Sequence, residues 1–320
     1  MWLPLELRSR IERQLQAADR SLVTRAAEQI ITNYKSGLFS KSLRSHESRV
    51  AYLATRLPAT YAANHYVFAE IRRVFPEFGP VDMLDLGAGP GTALWAAREV
   101  WPSLRSFALI DSNKDLLQLG QQLADGIPAT HWMEANLSDV NELQPSDLVV
   151  LSYSLGEIPK PDLFITRAWT AARKVLVVIE PGTPRNFSSV VKIRAQLIEA
   201  GAHPIAPCPH VNACPLAVAN DWCHFAVRLP RTAEHRILKS GSLGYEDEKF
   251  SYLAFTRSQV PTPAARIVCH PAIHGGHIQL SLCTDQGLQS KTVTRSAKAA
   301  FRAARSADWG DAWPPRNNEE

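Results

Sequence analysis

Two stretches of this 320-residue chain hold residue types that bind metals or cofactors. The first is "CPHVNACP". It sets Cys208 and Cys214 six positions apart, each followed by proline, and Cys223 follows in "DWCHF". Thiolates hold zinc or iron–sulfur centres, and both prefer four ligands. Cys283 in "IQLSLC" is a candidate fourth ligand, and Cys269 in "IVCHP" competes with it. Structural zinc sites favour a tight C-x2–4-C knuckle, which these wider gaps fit poorly. His210 and His224 stand beside the thiols as alternative zinc ligands. Spacing therefore leaves zinc and iron–sulfur both open, with unliganded buried cysteine as the third reading. Five cysteines, an odd number, argue against a disulfide framework.

The second stretch is "DLGAGPG", Asp85 to Gly91. It follows an apolar strand and opens a helix, where glycines let the backbone approach a ligand and free N–H groups face it. Asp111 ends the next strand, 20 residues after Gly91. An acid at that place commonly binds a ribose diol, a feature NAD sites share. The D-x-G-x-G-x-G pattern resembles the S-adenosylmethionine loop of class I methyltransferases. The resemblance implies that Asp85 orients the loop and the methionine amine, that Gly87, Gly89 and Gly91 line the cofactor, and that Asp111 takes the ribose hydroxyls. It sets Glu134 and Asn136, in "MEANLSD", against the adenine. The segment "SYSLGEIP" (Ser152 to Pro159) lacks the N/D-P-P-Y/F motif of base-amine methylation and has no cysteine for attack on a pyrimidine. Glu157 is the available base there, and no catalytic residue is assigned.

The elements that must position these residues follow from periodicity. Residues 1–78 repeat apolar positions at helical spacing. Over 79–200 short apolar strands alternate with helices, which gives an α/β, Rossmann-like parallel sheet. Residues 201–313 form a cysteine-containing, β-rich and basic extension, and 314–320 a frayed tail. Hydrophobic content of 45% suits a globular core, and no apolar run reaches the ~20 residues of a membrane helix. Net charge is +4. Its cations concentrate in two runs: Arg228, Arg231, Arg236 and Lys239, then Lys291, Arg295, Lys298, Arg302 and Arg305.

The blocks "IEPGTP", "CPHVNACP", "DWCHF", "YEDEKFSYLAF", "LCTDQG" and "ADWGD" occur in that order. Together they resemble the methyltransferase-like small-ribosomal-subunit family: mitochondrial small-subunit assembly factors of the RSM type and their bacterial relatives. That resemblance implies a class I methyltransferase fold carrying a [4Fe–4S] cluster on Cys208, Cys214, Cys223 and Cys283, with Cys269 left over. It also implies binding to small-subunit rRNA, for which the two basic runs are the candidate phosphate contacts. The acids of "YEDEKF" are expected to pair nearby bases, and "DWGD" to form a turn with Trp309 packed on the body. A bacterial cytoplasmic setting is expected, because the chain opens almost directly in its helices; a monomer with no membrane segment is expected as well.

Overall fold

The computed structural model describes residues 3–36, 43, 45–239 and 242–315; part of the expected tail, 316–320, lies outside these. Four helices open the chain: α1 (Leu5–Ala17), α2 (Arg20–Ser36), α3 (His46–Thr55) and α4 (Leu57–Val74). Ser45 starts α3 through a capping box. Its side chain accepts from the Ser48 N–H, and the Ser48 hydroxyl accepts from the Ser45 N–H. Pro58 sits in the first turn of α4, where a missing N–H leaves no helical bond unmade.

Strands and helices then alternate: β1 (Asp82–Leu86), α5 (Thr92–Val100), β2 (Ser106–Asp111), α6 (Lys114–Leu123) and β3 (Thr130–Glu134). They continue as β4 (Ser146–Ser152), α7 (Pro161–Ala171), β5 (Ala172–Pro181), α8 (Pro184–Glu199) and β6 (His203–Ala206). After these come α9 (Pro215–Val218), β7 (Phe225–Pro230), α10 (Ala233–Leu238), β8 (Tyr245–Thr256), β9 (Ala265–Ile267) and β10 (Ala272–Ile273). The chain closes with β11 (His277–Thr284), β12 (Gly287–Thr294), α11 (Lys298–Ser306) and β13 (Ala312–Trp313).

Two compact units result. The first comprises residues 1–68, 80–141 and 227–248, and the second 69–79, 142–226 and 249–320. The units interleave along the chain, whereas periodicity alone suggested consecutive segments. In the first unit β3, β2 and β1 run parallel, in that order. In the second, β4 and β5 are parallel, and β8 lies between β5 and β6, antiparallel to both. Residues 148–151 and 175–179 are buried throughout, as strands covered on both faces must be. Parallel strands alternating with helices make this a Rossmann-like α/β fold.

The second unit also holds a separate antiparallel sheet in the order β10-β11-β9-β13, with β12 on β11. Its core is Ile267, Ile278, Leu280, Leu282, Val293 and Trp313, on which α11 lays Phe301 and Ala304. The strands and helices read from periodicity are present; β6, α9, β7, α10, β10 and β13 are further elements, each of six residues or fewer.

Candidate metal centre and cofactor loop

Cys208 follows β6, Cys214 precedes the first residue of α9, Cys223 precedes β7 and Cys283 lies in β11. All four line one cavity of about 30 Å³, larger than the ~10–15 Å³ one water needs. His210, Arg194 and Arg266 share its wall. β-sheet register brings Cys283 there: it pairs with Arg266 across β9 and β11, so both side chains project to one face. Cys269, two residues past β9, is exposed and is not among the lining residues. Among the described residues no group of three or more His, Cys, Asp or Glu side chains stands at metal-ligating spacing. The four thiols face a common space without closing on one point.

Side chains of the second unit hold the cysteine loop by its carbonyls. Arg266 Nε donates to Pro207 O at 2.9 Å, Arg194 to His210 O at 2.6 Å, and Ser251 Oγ to Cys223 O at 2.7 Å. Trp222 Nε1 donates to Gly182 O at 3.2 Å. Two contacts reach sulfur: Arg194 Nε donates to Cys208 Sγ at 3.2 Å, and His210 Nε2 lies 3.4 Å from Cys283 Sγ. His224 instead stacks on Trp222 and meets Trp309 edge-on. Of the two candidate histidines, only His210 lines the cavity. Trp309 packs on His224 and His270, as expected for the "DWGD" turn.

Burial pushes three of these thiols up. Cys283 rises to about 12, with Cys208 and Cys214 adding to the effect. Cys223 rises well above the ordinary thiol value, from burial and then its three neighbours. Cys208 rises through burial, opposed by Arg194. These thiols are neutral at pH 7, so coordination of a metal centre releases their protons. A cavity lined by four cysteines offers the donor set of a tetrathiolate centre, with the sulfurs still to be drawn together on binding. Such a centre, when bound, would cross-link the loop to β11 and supply either structural stability or one-electron chemistry.

The glycine loop lies in the first unit. Gly87, Gly89 and Gly91 all have positive φ, the left-handed region that glycine enters freely. A side chain at Gly89 would meet open space, its nearest neighbour 4.0 Å away. A side chain at Gly91 would meet the Trp132 ring at 2.8 Å, so this glycine serves packing. Asp111 receives the Gly89 N–H on Oδ2 and the Asn113 N–H on Oδ1, both at 2.8 Å, and so fixes the loop. Glu134 pairs in register with Asp111 and is exposed; exposed Asn136 accepts from Ser138 N–H.

Asp85 is only 2% exposed, and its Oδ2 has no hydrogen-bond partner among the described residues. Burial first, then the Asp111 charge, push its carboxyl up to about 8. A buried carboxyl oxygen without a donor is suited to a cation. The ammonium of S-adenosylmethionine fits that need.

Past β4, Glu157 is exposed. The buried acid of this region is Glu180, which the sequence reading did not single out. It accepts from Leu155 N–H and from the Asn186 amide, both at 3.0 Å, and burial lifts it to about 7.

The two basic runs differ. Arg228 pairs with Asp247, while Arg231 and Lys239 converge on Glu246, with His235 Nε2 at 3.4 Å. Glu248 pairs with Arg56. The acids of "YEDEKF" thus neutralise most of the first run. Lys291, Arg295, Lys298, Arg302 and Arg305 are all exposed, with no ion pair among the described residues and no acid between 287 and 307.

Among solved structures, the chain is similar to a precorrin-6y C5,15-methyltransferase from Geobacter metallireducens (TM-score 0.41, 14% identity, 61% of this chain and 87% of that one). It is also similar to a magnesium protoporphyrin IX methyltransferase from Synechocystis with bound SAH (0.39, 12%, 62% and 84%). By sequence it is 30% identical over 292 residues to the human ribosome assembly protein METTL17, mitochondrial, covering 83% of this chain and 62% of that protein. It is 24% identical to Rsm22-cox11 tandem protein 2, mitochondrial, of Schizosaccharomyces pombe, covering 83% and 43%. The chain thus spans less than two-thirds of either relative. The family model described as mitochondrial small ribosomal subunit Rsm22 matches residues 46–314. The chain belongs to the Rsm22 family.

Proposed function

We propose that this chain is a methyltransferase-like ribosome assembly factor. In this reading it binds S-adenosylmethionine through the Asp85–Gly91 loop, holds a [4Fe–4S] cluster on Cys208, Cys214, Cys223 and Cys283, and contacts small-subunit rRNA. The observation that carries it is the convergence of those four thiols, from separate elements, on one cavity. The human relative, a ribosome assembly protein, and the small-ribosomal-subunit family model support the ribosomal setting.

Each residue has a task in this reading. Asp85 receives the cofactor ammonium, Asp111 holds the loop and meets the ribose, and Glu134 and Asn136 border the adenine. The β12–α11 cations meet RNA phosphates, which give affinity with little sequence information. Methyl transfer is not part of the proposal, because "SYSLGEIP" has no amine-methylation motif. Co-sedimentation tests the partner. The protein is expected with small subunits at moderate salt; its confinement to the ribosome-free fraction contradicts the reading.

A further inference from the structure

The thiol cavity has two guanidinium groups in its wall, and only one has a carboxylate. Arg266 meets Glu70 and donates to the Pro207 and Gly310 carbonyls. Arg194 is 4% exposed, and among the described residues no carboxylate stands within ion-pair distance of it. Its Nε donates to Cys208 Sγ, and a terminal nitrogen donates to His210 O. It lies on the buried stripe of α8, with Phe187, Val190, Ile193 and Leu197, where an apolar residue would pack without penalty. A buried cation with no counter-charge is strongly destabilising. Its presence on this face points to an anion that belongs in the cavity.

We propose that Arg194 is the counter-cation of a metal centre held by the four thiolates. Four thiolates outweigh the charge of a zinc ion or an oxidised iron–sulfur core, so the centre is a net anion. The forked guanidinium serves the Cys208 sulfur through Nε and the loop carbonyl through a terminal nitrogen, whereas a lysine would have to serve both points from one nitrogen. This inference rests on the reading of the cysteines as a ligand set, but not on which metal they hold.

The test compares wild type, R194M, R194Q and R194K as full-length protein purified anaerobically. Iron, sulfide and zinc are measured, then the rate of metal loss to a chelator, then melting temperatures of loaded and stripped protein. R194M and R194Q are expected to lose metal about 10- to 100-fold faster than wild type, the range for removal of a partner behind a ligand. R194K, which keeps the charge, is expected to fall between. Stripped R194M is expected to melt above stripped wild type, because an unanswered buried charge is gone; loaded, the order reverses. An arginine that merely braces the His210 carbonyl would lower both melting temperatures, and that result overturns the proposal. Equal chelator resistance in R194Q and wild type also overturns it, and this arm holds if R194M does not fold. Zinc in place of iron and sulfide defeats the iron–sulfur reading while the same comparison still decides on Arg194. Wild type that binds neither metal overturns both.

Discussion

Asp85 carries a buried carboxyl with one oxygen lacking a donor, and this gives the cofactor-free protein a pH dependence. An unfolded aspartate releases its proton near pH ~4. Folded, Asp85 keeps it up to about 8. Between these values the folded state binds the extra proton, so stability falls as pH rises. Without cofactor, Asp85→Asn is expected to be more stable than wild type at pH 8 by about 1–3 kcal/mol, with the gap closing toward pH 4. Urea melts at several pH values check this, and calorimetry should show weaker S-adenosylmethionine binding by the variant. A wild-type stability that stays flat from pH 5 to 8 contradicts the assigned environment. Asp85 itself was legible from the motif, but its charge state depends on neighbours that only the fold supplies. Arg194 was not singled out, although its spacing from Phe187, Val190 and Leu197 sets it on the apolar stripe of α8; the thiol it meets there is visible only in the fold.

At the scale of elements, α10 and β8 are joined through Glu246. Burial would raise its carboxyl, but contacts with His235, Lys239 and Arg231 hold it far below the usual range. That stabilisation is present above the unfolded value of ~4.3 and is lost as pH falls toward the folded one. Glu246→Gln is expected to destabilise the protein at pH 7 by about 3 kcal/mol or less, since the site is partly solvated, nearly as much at pH 4, and progressively less as pH falls below that toward the folded value. Thermal melts at pH 7 and near pH 2 test this; an equal loss at both contradicts it. Regular strands and helices were legible because their apolar periods are long enough to read. The short β6, α9 and α10 were not, because four to six residues carry too little period. The choice between Cys283 and Cys269 shows the same limit. Both follow β-like runs, and only the pairing of β11 with β9 turns Cys283 toward the other thiols.

Across the whole molecule, the two basic runs looked alike in sequence because ion pairs between distant segments are invisible there. "YEDEKF" takes up the first run and leaves the β12–α11 cations exposed. Glutamine at Lys298, Arg302 and Arg305 together is expected to lower the salt dependence of RNA binding, log K against log salt, by about two to three, at ~0.7–0.9 per phosphate contact. Glutamine at Arg228 and Arg231 should leave that slope unchanged. Equal effects from the two sets contradict the division. Cys214→Ser is expected to lose the metal centre and lower the melting temperature, because binding at such a site is also folding energy.

Metal and sulfide analysis of anaerobically purified wild type, Cys283→Ser and Cys269→Ser tests the central claim most directly. Brown wild-type protein with iron and sulfide in equal amounts is expected, with both lost in Cys283→Ser and retained in Cys269→Ser. Colourless wild type carrying zinc, or full iron in Cys283→Ser, contradicts the account.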